Sequence, residues 1–137
     1  MNVTRHLALL LVVLALAACA EGPEATWARA LQARRDNDPA AYLACFTTRT
    51  RKVLANLEAF QQSTRKGLPW LKDPYVLLPE QGPTQPARVD GNVATLRVGD
   101  GKRELEGVLV REAGEWRIEA LELPTFWAPL AAAEEAE

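Results

Sequence analysis

The sequence predicts an α+β domain, with N-terminal helices packed on a curved antiparallel sheet and a short apolar leader in front. Three observations predict it. Apolar residues recur at helical spacing from residue 24 to residue 60. They alternate with polar ones from residue 87 onward, broken by glycine-bearing turns. An uninterrupted apolar run, Leu7 to Ala18, stands before both.

The first helix is expected over residues 24–35. Pro23 suits its first position and Glu24 its positive end, and Trp27, Ala28, Ala30 and Leu31 share a face. Asp36-Asn37-Asp38-Pro39 breaks it, and Asp38 can cap a second short helix that starts at Pro39. Tyr42, Leu43, Cys45 and Phe46 form the apolar side of that helix. Thr47-Thr48 offers a further cap. Val53, Leu54, Leu57 and Phe60 then follow the pattern of an amphipathic helix ending near Gly67.

Five prolines between residues 68 and 86 (Pro69, Pro74, Pro79, Pro83, Pro86) predict a largely irregular segment, with Tyr75–Leu78 as a short strand. From Ala87 the chain reads as an antiparallel meander. Asp90-Gly91-Asn92 carries turn chemistry, and Ala94, Leu96 and Val98 alternate with Thr95 and Arg97. After a turn at Gly99–Lys102, residues 103–111 make the next strand, and Glu112-Ala113-Gly114-Glu115 turns the chain again. In the last strand Trp116, Ile118 and Ala120 should face the core. Leu121 and Leu123 fall on the opposite parity, which predicts a bulge or strand end near Ala120. Pro124 to Leu130 is an aromatic coda, and an acidic tail follows.

The leader carries its own signal. Twelve apolar residues are too few to span a bilayer, which takes roughly 20 in a helix, but they match the apolar core of a signal peptide, with Arg5 ahead of it. The run ends Leu16-Ala17-Ala18-Cys19. This resembles the lipobox of bacterial lipoproteins. The resemblance implies cleavage between Ala18 and Cys19, with acyl chains such as palmitate on Cys19. Residues 1–18 are then the signal peptide, 19–22 the lipidated cysteine and tether, 23–123 the domain, and 124–137 the C-terminal segment. By the family's sorting rule, Ala20 in place of Asp directs the protein to the periplasmic face of the outer membrane, if the host has two membranes. The implied location is the cell envelope, and the implied membrane contact is the lipid on Cys19.

Composition narrows the function classes. The chain has 137 residues and a formal charge of −2, near −3 once Arg5 is removed. It has no basic run of the kind that tracks nucleic acid. The only histidine, His6, lies in the leader, so the domain offers no imidazole for a catalytic pair or a metal. Cys19 and Cys45 are the only cysteines, too few for a cysteine-based zinc site, and no glycine-rich phosphate loop is present. No cofactor and no metal are expected. Cys45, amid Ala41–Phe46, reads as a small buried hydrophobe.

Helices first, then a meander closing on Leu109-Val110-Arg111-Glu112-Ala113-Gly114-Glu115-Trp116-Arg117-Ile118, resembles the NTF2-like (cystatin-like, SnoaL-like) superfamily, in particular its small bacterial lipoproteins. Ala30-Leu31, the Asp36–Pro39 break and Tyr42 to Phe46 add to the likeness. The resemblance implies a sheet wrapped into a cone, plugged by the final-strand Trp and Ile. Enzymes of this kind use an acid, a tyrosine or a His–Asp pair inside the cone. The candidates are Asp36, Asp38, Asp73, Asp90, Asp100, Tyr42 and Tyr75, with Glu104 and Glu106 as a strand-face pair. Most of these acids sit in turns or caps, where backbone chemistry explains them. The aromatics Trp70, Tyr75, Phe126 and Trp127 fall in irregular segments and could line a ligand or partner surface, or else cap the core. The leading expectation is a non-enzymatic, lipid-anchored domain that binds a small apolar ligand or an envelope protein. An isomerase or dehydratase using carboxylate and tyrosine is the second, and a structural or assembly lipoprotein the third.

Overall fold

The computed structural model describes residues 21–64, 73–99 and 104–128, without the side chains of residues 60–64. The leader, the Ala18–Cys19 junction, Trp70, Asp100 and the acidic tail lie outside the described residues. Three helices come first: α1 (Pro23–Arg35), α2 (Pro39–Ala44) and α3 (Thr48–Thr64). A four-stranded antiparallel meander follows, in the order β1 (Arg88–Asp90), β2 (Val93–Gly99), β3 (Glu104–Glu112) and β4 (Glu115–Ile118). The α+β class and the chain order of helices before sheet are as the sequence predicts.

Local chemistry explains each boundary. α1 ends in a Schellman motif. Asn37 adopts φ 51°, its N–H donates to Arg34 O at 3.1 Å, and Asp38 N–H donates to Ala33 O at 2.9 Å. Asp38 then caps α2, its Oδ1 accepting from Ala41 N at 3.1 Å. Thr47 caps α3, its hydroxyl accepting from Thr50 N at 3.1 Å. The turn between β3 and β4 has positive φ at both central residues, Ala113 (49°) and Gly114 (79°), which is the twist that suits a hairpin.

α1 lies across one face of the sheet. Trp27, Ala30 and Leu31 face inward with Thr26 and Ala33, whereas Ala28, expected on that face, is exposed. The inner side chains of the sheet are Ala94, Leu96, Val98, Leu109, Trp116 and Ile118, all buried. Trp116 and Ile118 point inward as the alternation predicts. Gly107 brings β3 close to the helix: a Cβ there would lie 2.6 Å from the Trp27 ring. β4 has its outer edge closed by the chain before α3. Phe46 bridges Ile118, with Ile118 N donating to Cys45 O at 2.7 Å and Thr47 N to Ile118 O at 2.9 Å.

Three expectations change. Tyr75–Leu78 is not a strand: Pro74–Leu77 forms a 3₁₀ turn, begun by Asp73, whose Oδ1 accepts from Tyr75 N at 3.1 Å. Apolar composition suggested β, but a proline preceded by a capping acid fixes a tight turn. Ala120 belongs to a second 3₁₀ turn, Ala120–Glu122, because β4 stops at Ile118. That turn lets Ala120, Leu121 and Leu123 all reach the core despite their parity. Finally, residues 124–128 are helical and Phe126 is fully buried. Packing of the domain therefore continues past residue 123.

Candidate functional site

The acids proposed from sequence take backbone or surface roles. Asp38 and Asp73 are caps. Asp36 is exposed and accepts from Gln32 Nε2 at 2.9 Å. Asp90 closes β1 on the exposed side. Glu104 and Glu106 both lie on the solvated outer face of β3, where Glu104 sits 3.4 Å from Arg97. Cys45 is 1 % exposed, and its Sγ contacts Ala41 O at 3.4 Å.

The aromatic group divides. Phe126 is in the core, so the capping alternative describes it. Its ring meets Trp127 edge to face at 4.9 Å. Trp127 is 51 % exposed, although its indole N–H donates to Leu121 O at 2.6 Å. Tyr75 is half-buried against Tyr42 (4.9 Å, 72°), and its hydroxyl meets Asn37 Oδ1 at 3.4 Å. Tyr42 is wholly buried and stacks edge to face on Phe46 at 5.0 Å. Among the described residues its hydroxyl has no hydrogen-bond partner, and neither has the Trp27 indole N–H. Burial pushes the Tyr42 phenol well above its ordinary pKa, against a smaller opposing pull from Arg34. A phenol held neutral in this way is a poor general base at physiological pH.

One buried carboxylate was missed. Glu119 is 5 % exposed. Its Oε1 accepts from the Thr50 hydroxyl at 2.8 Å and its Oε2 from the Thr47 hydroxyl at 3.2 Å. Thr47 Oγ1 also lies 3.0 Å from Thr50 Oγ1, and Thr50 Oγ1 accepts from Ala120 N at 3.2 Å. Next to it, Glu112 receives the Thr48 N–H at 3.0 and 3.2 Å. Two carboxylates thus meet the first turn of α3, where free N–H groups and the helix dipole favour negative charge. The arrangement ties α3 to the sheet and leaves Glu119 with its oxygens already occupied. The sequence held half of the signal: two threonines at a helix start three residues apart. Their carboxylate partner is about seventy residues away, beyond the reach of any local pattern.

Two clefts open at the surface of the sheet. One, of 300 Å³, lies by the start of α1. Arg111 stacks 4.5 Å from the centre of the Trp116 ring there, and Arg29 pairs with Glu21. The other, of 560 Å³, lies on the outer face between Gln85-Pro86 and the β2 side chains Val93, Thr95 and Arg97. Among the described residues no group of acids, histidines and cysteines could hold a metal, and no helix is long and apolar enough to cross a membrane. Comparison with protein families, curated proteins and solved structures finds no match for the chain in any of the three.

Proposed function

We propose that the chain is a lipid-anchored envelope protein whose NTF2-like domain works by binding a protein partner at its surface. The anchor half of this reading rests on Leu16-Ala17-Ala18-Cys19 behind the apolar run. Two or more acyl chains on Cys19 would hold the domain stably at a membrane, each buried methylene contributing about 0.8 kcal/mol.

The observation that carries the binding half is the occupancy of the sheet's inner face. In a cone that takes a small apolar ligand, that face is left open. Here Trp27, Phe46, Leu123 and Phe126 are completely buried together with the inner side chains of β2–β4. The Trp27 ring comes so close to Gly107 that not even a methyl group fits between them. Of the two ligand types expected from sequence, this favours the protein. The enzyme alternative would draw on a buried carboxylate, and Glu119 is one, but Thr47 and Thr50 hold both its oxygens at the base of α3.

Native mass spectrometry of the mature protein, extracted from its host membranes, tests both halves. The expected result is a diacylglyceryl mass on an N-terminal peptide starting at Cys19, with a co-purifying protein. A chain starting elsewhere, or an unmodified Cys19, overturns the anchor. A stoichiometric small apolar molecule inside the domain overturns the surface reading. Cys19→Ser should block lipidation and lipoprotein-type processing, leaving uncleaved precursor tethered by its apolar run or, if another peptidase cuts it, a soluble domain; the wild type should partition into detergent, with the lipid mass on its N-terminal peptide.

A further inference from the structure

The 300 Å³ cleft by the start of α1 has both signs of charge in its wall, Arg29 and Arg111 against Glu21 and Glu115. Two of its donors are unspent. Peptide groups along β4 alternate in direction. Glu119 N donates to Val108 O on β3, and Ile118 N donates the other way, to Cys45 O. By the same alternation Trp116 turns its N–H and C=O away from β3. The C=O accepts from the Thr26 hydroxyl at 3.1 Å, so this edge borders the cleft. The N–H has no acceptor among the described residues, although Trp116 is 5 % exposed. Arg111 is the second donor. Its guanidinium lies 4.5 Å over the Trp116 ring and pairs with no carboxylate among the described residues.

A strand N–H and a guanidinium on one wall are a donor set for an oxyanion. Chain length limits which anion can reach them. Glu21 stands two residues after Cys19, so their Cα atoms are at most about 7 Å apart. With acyl chains on Cys19, the cleft lies at the level of the lipid headgroups. We infer that it holds the headgroup of a neighbouring phospholipid, of the phosphate–ammonium type carried by phosphatidylethanolamine. The phosphate accepts from the Trp116 N–H and the Arg111 guanidinium. The ammonium donates to the carboxylates of Glu21 and Glu115. A headgroup with phosphate alone would meet those carboxylates as repulsion, whereas the zwitterion matches both signs in the wall.

The cleft's own acids do not occupy these donors. Glu21 pairs with Arg29, and Glu115 with Arg117. Both pairs are solvated, contribute little, and give way readily to a ligand. A bound headgroup would hold the start of α1 against the bilayer, so that the short tether sets an orientation as well as an address. The inference rests on the anchor half of the proposed function and is independent of the protein partner.

Native mass spectrometry tests it on the mature protein, released in a neutral sugar detergent from vesicles of equal parts phosphatidylethanolamine, phosphatidylglycerol and phosphatidylcholine. Wild type should retain one phosphatidylethanolamine, about tenfold in excess of either other lipid. Phosphatidylglycerol lacks the ammonium, and phosphatidylcholine has no ammonium N–H to give the carboxylates. Arg111→Gln removes a charge-assisted hydrogen bond and should lower retention about tenfold. Glu21→Gln combined with Glu115→Gln should do what a misfolded chain cannot, and move the preference to phosphatidylglycerol. All three positions are exposed, so folding is preserved. Equal retention of the three lipids, full retention by Arg111→Gln, or an unchanged preference in the double variant would each overturn the inference. Displacement of the lipid by added inorganic phosphate would overturn it in favour of a free-phosphate site. A co-purifying protein lost from Arg111→Gln, with no lipid on wild type, would overturn it in favour of a protein site. The same spectra report the mass at Cys19. An unmodified Cys19 overturns the anchor and this inference with it, whereas a lipidated chain that retains no phospholipid overturns this inference alone.

Discussion

Ala113 sits at φ 49° in the β3–β4 turn, followed by Gly114 at 79°. A side chain in the left-handed region costs roughly 1–2 kcal/mol, because Cβ crowds the carbonyl. Asn tolerates that region better, and Asn-Gly is the favoured pair for this hairpin twist. Ala113→Asn should therefore raise stability by about 0.5–1 kcal/mol, read as a higher urea midpoint with an unchanged slope. An unchanged or lower midpoint would mean that the turn relaxes at no cost. Asn37 shows the same chemistry already in place, at φ 51° in the Schellman turn after α1.

At the scale of elements, α1 meets the sheet through one contact that dictates a residue on each side. The position of a Cβ on Gly107 would be 2.6 and 2.9 Å from two atoms of the Trp27 ring. Backbone and ring are both rigid, so Gly107→Ala should cost about 1–3 kcal/mol through overpacking. The penalty belongs to the pair: in a Trp27→Leu background the same change should cost under about 1 kcal/mol, since the clashing ring is gone. Chemical denaturation of the four chains in that cycle gives the coupling. Equal penalties in both backgrounds would place the strain in the strand itself. The other junction, α3 to the sheet, is polar: Thr47, Thr48 and Thr50 bind Glu119 and Glu112. It joins the helix start to the strand ends by charge-assisted hydrogen bonds.

For the whole molecule, pH dependence is the accessible readout. Burial raises the Tyr42 phenol above its ordinary 10.0. The unfolded chain therefore releases this proton first as pH rises. The stabilising linkage is complete below about pH 10 and is lost as pH climbs through the folded-state value. Its maximum slope is about 1.4 kcal/mol per pH unit for one proton. Tyr42→Phe removes the group. Its stability at pH 7 should match wild type to within about 1 kcal/mol, because the hydroxyl has no hydrogen-bond partner among the described residues. Above pH 10 the variant should lose stability less steeply. Parallel alkaline limbs in thermal melts would show that other groups govern alkaline unfolding.

What the sequence determined by itself was local. The Asp38 and Thr47 caps, the break after α1, the Glu112–Glu115 hairpin and the inward parity of Trp116 and Ile118 all depend on residues within a few positions of one another. The strand end near Ala120 was legible too, from the parity of Leu121 and Leu123. The 3₁₀ turn at Pro74–Leu77 was not, because an apolar stretch after proline has no periodicity to separate strand from turn. Tertiary structure alone decided the rest. Phe126 could line a surface or cap the core on sequence alone, and only the helical turn at 124–128 decides for the core. Glu119 reads as a solvated strand residue until α3 brings Thr47 and Thr50 onto it. Gly107 carries no visible meaning until Trp27 arrives from eighty positions away. Arg97 comes beside Glu106, and Asp90 into line with Arg117, only once the strand register is set. The physical reason is common to all of these. Capping and alternation are energies between chain neighbours, whereas burial, close approach and cross-strand charge are energies between residues that only the folded chain brings together.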